Sequence, residues 1–172
     1  IAAASGQQIV HNLIYGNTNY GVLAGSASSP ASAVRIVHNT LYAESGDNVH
    51  VGPGAADIEV RSNTFLARGG YDVFVDNAGQ AGYFADFNAL LASDTGRLYY
   101  WTKDFDDVLD LQADVGRFEL HSTGTTALHR DWAGPAFGSI ALADFTTHDL
   151  AGNLRFTSPT VDAADPLTDF GV

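Results

Sequence analysis

His50, Asp72 and Arg97 are the residues whose types offer catalysis in this chain, with Phe74, Asp76, Tyr99 and Trp101 as companions that could bind a substrate. An imidazole or a carboxylate can move a proton, and a guanidinium can hold a carboxylate through paired hydrogen bonds. Aromatic faces stack on sugar rings. The set therefore points to a polysaccharide as the partner to consider. Elimination at a uronate needs a base for the proton beside the carboxylate, and cations or Ca²⁺ to neutralise that group. Arg35 and Arg61 are available, but Lys103 is the one lysine, and carboxylates flanked by basic residues at matched offsets are missing. Lyase chemistry is not evident. His11 and His38 each precede an asparagine, which makes them either a pH-sensitive or metal-binding pair or a shield over a corner. No H-E-x-x-H constellation supports zinc, and no Walker, Rossmann or nucleophile-elbow motif occurs. Asp104, Asp106, Asp107 and Asp110, and separately Asp162, Asp165 and Asp169, are the sets to weigh for Ca²⁺. Neither reproduces an EF-hand or a calcium β-roll, and acidic surface loops explain both. No metal ligand is assigned.

The elements that would position these residues come from a repeat. Asn12, Asn39, Asn63 and Asn88 recur at intervals of 27, 24 and 25 residues, in the range of solenoid repeats. Two residues after each stands Ile14, Leu41, Phe65 or Leu90, and three before stands Ile9, Ile36, Val60 or Ala85. Ten residues after each stands Val22, Val49, Val73 or Leu98, followed by period-two alternation. Each repeat thus holds about three short strands joined by Gly, Asn, Ser and Asp turns. Stacking such coils gives every backbone group a partner above and below. The asparagines are read as an internal ladder at one corner, where Asn tolerates a left-handed backbone and its amide can bond the next coil. Insertions such as 26–32 bulge from another corner. Alternation then turns Asn48, Asp72 and Arg97 outward, together with Leu23, His50, Phe74 and Tyr99, and Asp76 with Trp101. Asp72 and Arg97 would form a stacked ion pair, as would Arg35 with Glu59 and Arg61 with Asp86.

The segments IVHNLIYG, IVHNTLYA and VRSNTFLA resemble the repeats of pectate-lyase-like parallel β-helix proteins, over roughly residues 7 to 102. From Phe87 onward, FNALLASDTGRLYYW, DFDDVLDLQADVG and the run to SPTVDAADPLTDFGV resemble the closing region of large secreted bacterial β-helix proteins. The resemblance implies an extracellular or cell-surface setting. It also implies that the face bearing His50 is where lyases and hydrolases of this fold place their sites. The resulting expectation is an all-β, right-handed parallel β-helix with a C-terminal capping segment that contains a short helix. Residues 1–102 are the coils, and residues 103–172 are the helix and closing segment of the same domain. The helix is read over Asp104 to Val115, with Gly116 as its stop.

Composition agrees with one β-rich domain: 172 residues, 45% hydrophobic, 18 glycines and only 16% charged. Eight basic against 20 acidic residues give a formal charge of −12, which repels nucleic acid and anionic membrane. No apolar run approaches the roughly 20 residues of a membrane span. Cysteine is absent, which removes disulfides and thiolate chemistry. Ile1 opens in mid-pattern, so the chain is read as part of something longer, joined to upstream and downstream portions of its own protein. One solenoid serves enzymes, adhesins and inert spacers alike. The leading expectation is a non-catalytic scaffold module with glycan contact. The alternative is the C-terminal part of a polysaccharide lyase, hydrolase or epimerase whose catalytic coils lie upstream. The aromatic row of Leu23, Phe74, Tyr99 and Trp101 is expected to lie under residues 117–160, because large apolar side chains in a contiguous strip need a cover.

Overall fold

The computed structural model describes residues 1–125. After β1 (Ala2–Ala3) the chain makes four coils of three strands each. The first coil is β2 (Gln8–Val10), β3 (Leu13–Ile14) and β4 (Tyr20–Ala24), and the second is β5 (Ala31–Val37), β6 (Thr40–Ala43) and β7 (Asp47–Val51). The third is β8 (Ala55–Arg61), β9 (Thr64–Ala67) and β10 (Tyr71–Val75), and the fourth is β11 (Phe84–Asp86), β12 (Ala89–Leu91) and β13 (Arg97–Trp101). Then come β14 (Lys103–Phe105), the helix α1 (Val108–Val115) and β15 (Thr123–Thr125). Like strands stack into three sheets, in the orders β1-β4-β7-β10-β13-β14, β2-β5-β8-β11 and β3-β6-β9-β12-β15. All pairings are parallel except β13 with β14. The protein is a parallel β-solenoid.

Strands this short bury one face only by stacking. Ile9, Ile36, Val60 and Ala85 pair in register as one inward column, and Ile14 lies level with Leu41 and Phe65 in the next sheet. All seven are buried. Each fully buried Ile, Leu or Phe contributes roughly 1.5–3 kcal/mol before entropy is counted. The segment between the first two coils closes as a tight loop, with the Ser26 amide donating to the Ser29 carbonyl at 2.9 Å and the reverse bond at 3.1 Å. That bulge leaves the stack undisturbed.

Three expectations need correction. The third inward column is Val22, Val49, Val73 and Tyr99, with Leu98 one place earlier, because β13 pairs Tyr99 with Val73 and Trp101 with Val75. The fourth coil holds four residues between Ala92 and Arg97, whereas the third holds three between Ala67 and Tyr71. A one-residue change reverses which side chains face in. Next, the left-handed backbone position at the asparagine corner belongs to the preceding residue, with φ of 57° at His11, 55° at His38, 52° at Ser62 and 57° at Phe87. What the asparagines supply at this corner is their side-chain amides. Finally, Asp104 lies in β14 and the helix begins at Val108, capped by the Asp107 carboxylate, which accepts from the Leu109 amide at 2.7 Å. Gly116 ends it at φ 63°, and its amide donates to the Gln112 carbonyl.

The helix closes the end of the stack. Val108 and Leu111 join Tyr99, Trp101, Phe105 and Phe118 in the core, and α1 touches β14 and β15, the last strands of two sheets. Residues 117–125 continue as a partial fifth coil, with the Glu119 amide on the Ala85 carbonyl at 2.7 Å and β15 laid on β12. The remainder of the expected cover, residues 126–160, lies outside the described residues, as do Asp162, Asp165 and Asp169.

Candidate functional site

The outward side of the first-named sheet carries a row of rings drawn from all four coils. His50 stacks on Phe74 with centroids 4.6 Å apart and planes 3° from parallel, and Phe74 stacks on Tyr100 at 4.5 Å and 9°. Tyr20 tilts against His50 at 4.4 Å, while Tyr71 meets Phe74 and Tyr100 edge-on. The spacing follows from the strand separation of roughly 4.8 Å, because in-register neighbours on parallel strands are held at that distance. Both faces of Phe74 are therefore occupied by neighbouring rings. His50 Nδ1 lies 2.7 Å from Asp47 Oδ2, and Asp47 Oδ1 accepts from the Tyr71 amide at 3.0 Å.

The other expected site residues are elsewhere. Tyr99 and Trp101 are core residues, 0% and 6% exposed, so neither presents a ring to a ligand; Tyr100 takes the outward place instead. Asp72 is fully buried rather than outward, accepting from Asn48 Nδ2 at 3.1 Å and from the Leu91 amide at 2.6 Å. Burial pushes its carboxyl well above the usual range despite those donors. It ties β10 to β12 at a corner and does not pair with Arg97. Arg97 is held by Asp106 at 3.1 Å and Asp104 at 3.5 Å. Asp76 begins a 3-10 turn (Asn77–Gly79), accepting from the Ala78 amide at 2.8 Å. The catalytic trio His50, Asp72 and Arg97 thus does not converge.

Of the charged pairs expected on the second sheet, Arg35 with Glu59 forms, Arg35 Nε donating to Glu59 at 2.7 Å. Arg61 lies in register with Asp86, 3.8 Å from Glu59, with its guanidinium over the rings of Phe84 and Phe87. His11 and His38 stack with centroids 5.4 Å apart and planes nearly parallel. Of the acidic set near the helix, Asp104 accepts from the Tyr71 hydroxyl at 2.7 Å and Asp107 caps α1. Among the described residues, no group of three or more His, Asp or Glu is arranged to hold a metal ion. A cavity of about 430 Å³ lies between the β13–β14 turn and the end of α1, lined by Trp101, Thr102, Lys103, Phe105, Asp114 and Arg117. Its cations are engaged: Arg117 sits 4.8 Å over the Trp101 ring, and Lys103 pairs with Asp114.

The densest polar constellation is the asparagine corner. Asn12 donates from its amide N–H and Nδ2 to Asn39 Oδ1, both at 3.0 Å; Asn39 repeats this toward Asn63 at 2.9 and 3.1 Å, and Asn63 toward Asn88 at 2.9 and 3.2 Å. Each buried Nδ2 also donates to a backbone carbonyl of the preceding coil, that of Ile9, Ile36 or Val60. The run ends on residues that reasoning from the sequence missed. The Asn88 amide donates to Ser122 Oγ at 2.8 Å, and its Nδ2 reaches both oxygens of Glu119 at 3.1 and 3.0 Å. A signal existed: His121-Ser122-Thr123 echoes His38-Asn39-Thr40, with serine in place of asparagine. His121 stacks on Phe87 at 4.7 Å, extending the column that His11 and His38 begin.

Fold and site together define a four-coil parallel β-solenoid whose polar groups serve mostly one another. In comparisons with known proteins, no family, no curated protein and no solved structure matches this chain. Among the described residues, no helix is long and apolar enough to cross a membrane.

Proposed function

We propose that this chain is a non-catalytic scaffold module, a length of solenoid that holds other parts of a larger protein at a fixed separation. The observation that carries the reading is the ring row: the two faces of Phe74 are taken by His50 and Tyr100. A sugar stacks on a ring face, and here the faces are spent on the neighbouring coils. The separation of His50, Asp72 and Arg97 supports it further, since acid, base and charge stabiliser must converge on one substrate atom. The repeat segments support a pectate-lyase-like β-helix protein of bacterial, secreted or cell-surface kind as the setting. Glycan contact, where it occurs, would fall on ring edges and exposed charges, and so would be weak.

The test is incubation of the chain with pectin, alginate and neutral glycans, with and without Ca²⁺, following unsaturated products, reducing ends and binding. No turnover and at most millimolar binding are expected. Turnover that disappears in His50→Ala or Arg97→Ala would replace the scaffold reading with an enzyme, and tight binding without turnover would replace it with a recognition module.

A further inference from the structure

The asparagine corner ends on a carboxylate, which is an unusual terminus for a ladder of neutral amides. Glu119 is 0% exposed and has a left-handed backbone, φ 56°. It accepts from Asn88 Nδ2 and from the Ser122 hydroxyl, and its own carbonyl accepts from Gln112 Nε2 of α1 at 2.6 Å. Two residues on, His121 turns back to the same coil: its amide donates to Asp86 Oδ1 at 2.7 Å, and its Nδ1 lies 2.7 Å from Asp86 Oδ2. Phe118, 1% exposed, inserts between them and the core against Tyr83, Tyr99 and Trp101. Three anchors within four residues, Phe118, Glu119 and His121, thus fasten one short segment over the edge of the last coil.

We propose that residues 117–125 form a proton-held latch on the end of the solenoid, closed while the buried Glu119 carboxyl is uncharged and released as it ionises. A carboxylate sealed from water loses its hydration, and the groups around it do not supply a counter-charge. From β11 it faces Asp86, from just before β11 the Tyr83 hydroxyl, from β13 the Tyr99 hydroxyl, and from β10 the buried Asp72. Asn88, Ser122 and Gln112 provide neutral dipoles. Arg117, the nearest cation along the chain, is directed to the Trp101 and Phe118 rings. His121 holds the same segment to Asp86 through its amide and its Nδ1. Release would uncover the Asn88 donors and the free edges of β11 and β12, converting a sealed end into one able to accept another strand.

Desolvation raises the Glu119 carboxyl from its ordinary 4.5 to about 7, outweighing the donors. A folded-state value above the unfolded one means that closure is strongest below the unfolded value and weakens as the pH rises to the folded one. The window is therefore pH 4.5 to about 7.

Hydrogen exchange of the full chain from pH 4.5 to 8, normalised to the unprotected rate at each pH, tests this. Protection of the Glu119, His121 and Thr123 amides should fall by up to about tenfold per pH unit across the window, while Val49 and Val73 in the middle coils keep theirs. In Glu119→Gln the fall should vanish. An unchanged slope in that variant, or equal loss of protection at Val73, overturns the proposal. Where the Gln variant fails to close, the carboxyl ¹³C shift of Glu119 in the unaltered chain decides. A midpoint near 7 supports the latch, and one below 5 overturns it.

Discussion

Asn63 and Asn12 share a side chain and a corner, and differ in how much of their hydrogen bonding the fold completes. Asn63 is 1% exposed and bonded to the coils on both sides, whereas Asn12 is exposed and has a partner on one side. Asn63→Ala strands the buried Asn39 amide N–H and removes one of the acceptors of Asn39 Nδ2, so it should cost about 1–3 kcal/mol. Asn12→Ala should cost less than about 1 kcal/mol, since water replaces the lost partner. Urea midpoints of the two variants check the difference, and equal costs would mean that the ladder is not the reason for the asparagines. At this scale the sequence was informative about which residues and less so about why. Spacing identifies all four asparagines, but backbone dihedrals cannot be read from letters, and the strained position belongs to His11, His38, Ser62 and Phe87. Asp72 was misread because alternation supplies a direction and not the neighbours: its outward-pointing register is overruled by the Leu91 amide and Asn48 at the corner.

The strand β13 shows how one turn residue decides what an element presents. With four residues in the preceding turn, Tyr99 and Trp101 point inward and Tyr100 completes the ring row; had the strand begun one residue earlier, at Gly96, Leu98 would point inward and Tyr99 outward. Deletion of Thr95 should leave a three-residue turn like that of the third coil, with Arg97 still opposite Tyr71 and Trp101 still inward, so its emission should not shift. A red-shifted emission would show that the strand slips by one residue when its turn is shortened. The helix α1 is fastened by Leu111, which is fully buried, so Leu111→Ala should cost about 2–5 kcal/mol by thermal or urea unfolding. Gly116→Ala should cost about 1 kcal/mol through its positive φ. The existence, end and buried side of the helix follow from Val108, Leu111 and Gly116. Its start was placed early because a run of aspartates near a helix suits both the first turn and the strand before it, and only pairing with β13 settles that Asp104 belongs to the strand.

At the scale of the molecule, the coil count and the sheet stacking were legible because a repeat states the same instruction four times, so single departures do not mask it. The end of the stack was less legible, since a cap is written once and Ser122 stands where asparagine would have marked a fifth rung. The ladder bonds connect residues 27, 24 and 25 apart, so the chain is tied to itself at nearly constant sequence separation. Closing one such loop costs on the order of 3 kcal/mol in chain entropy, and adding coils adds loops of the same size and none that are longer. The average distance a residue must search to find its partner thus stays fixed as such a chain grows, unlike that of a sandwich or barrel of comparable length. Removing residues 39–62, one whole period, brings Asn63 directly after His38 and restores the motif. The shortened chain should fold, with a urea m-value reduced in proportion to the surface lost, and loss of cooperative unfolding would show that the coils are not interchangeable. In such a chain length is a free variable, and the span between whatever lies at its two ends can be lengthened or shortened in steps of one coil.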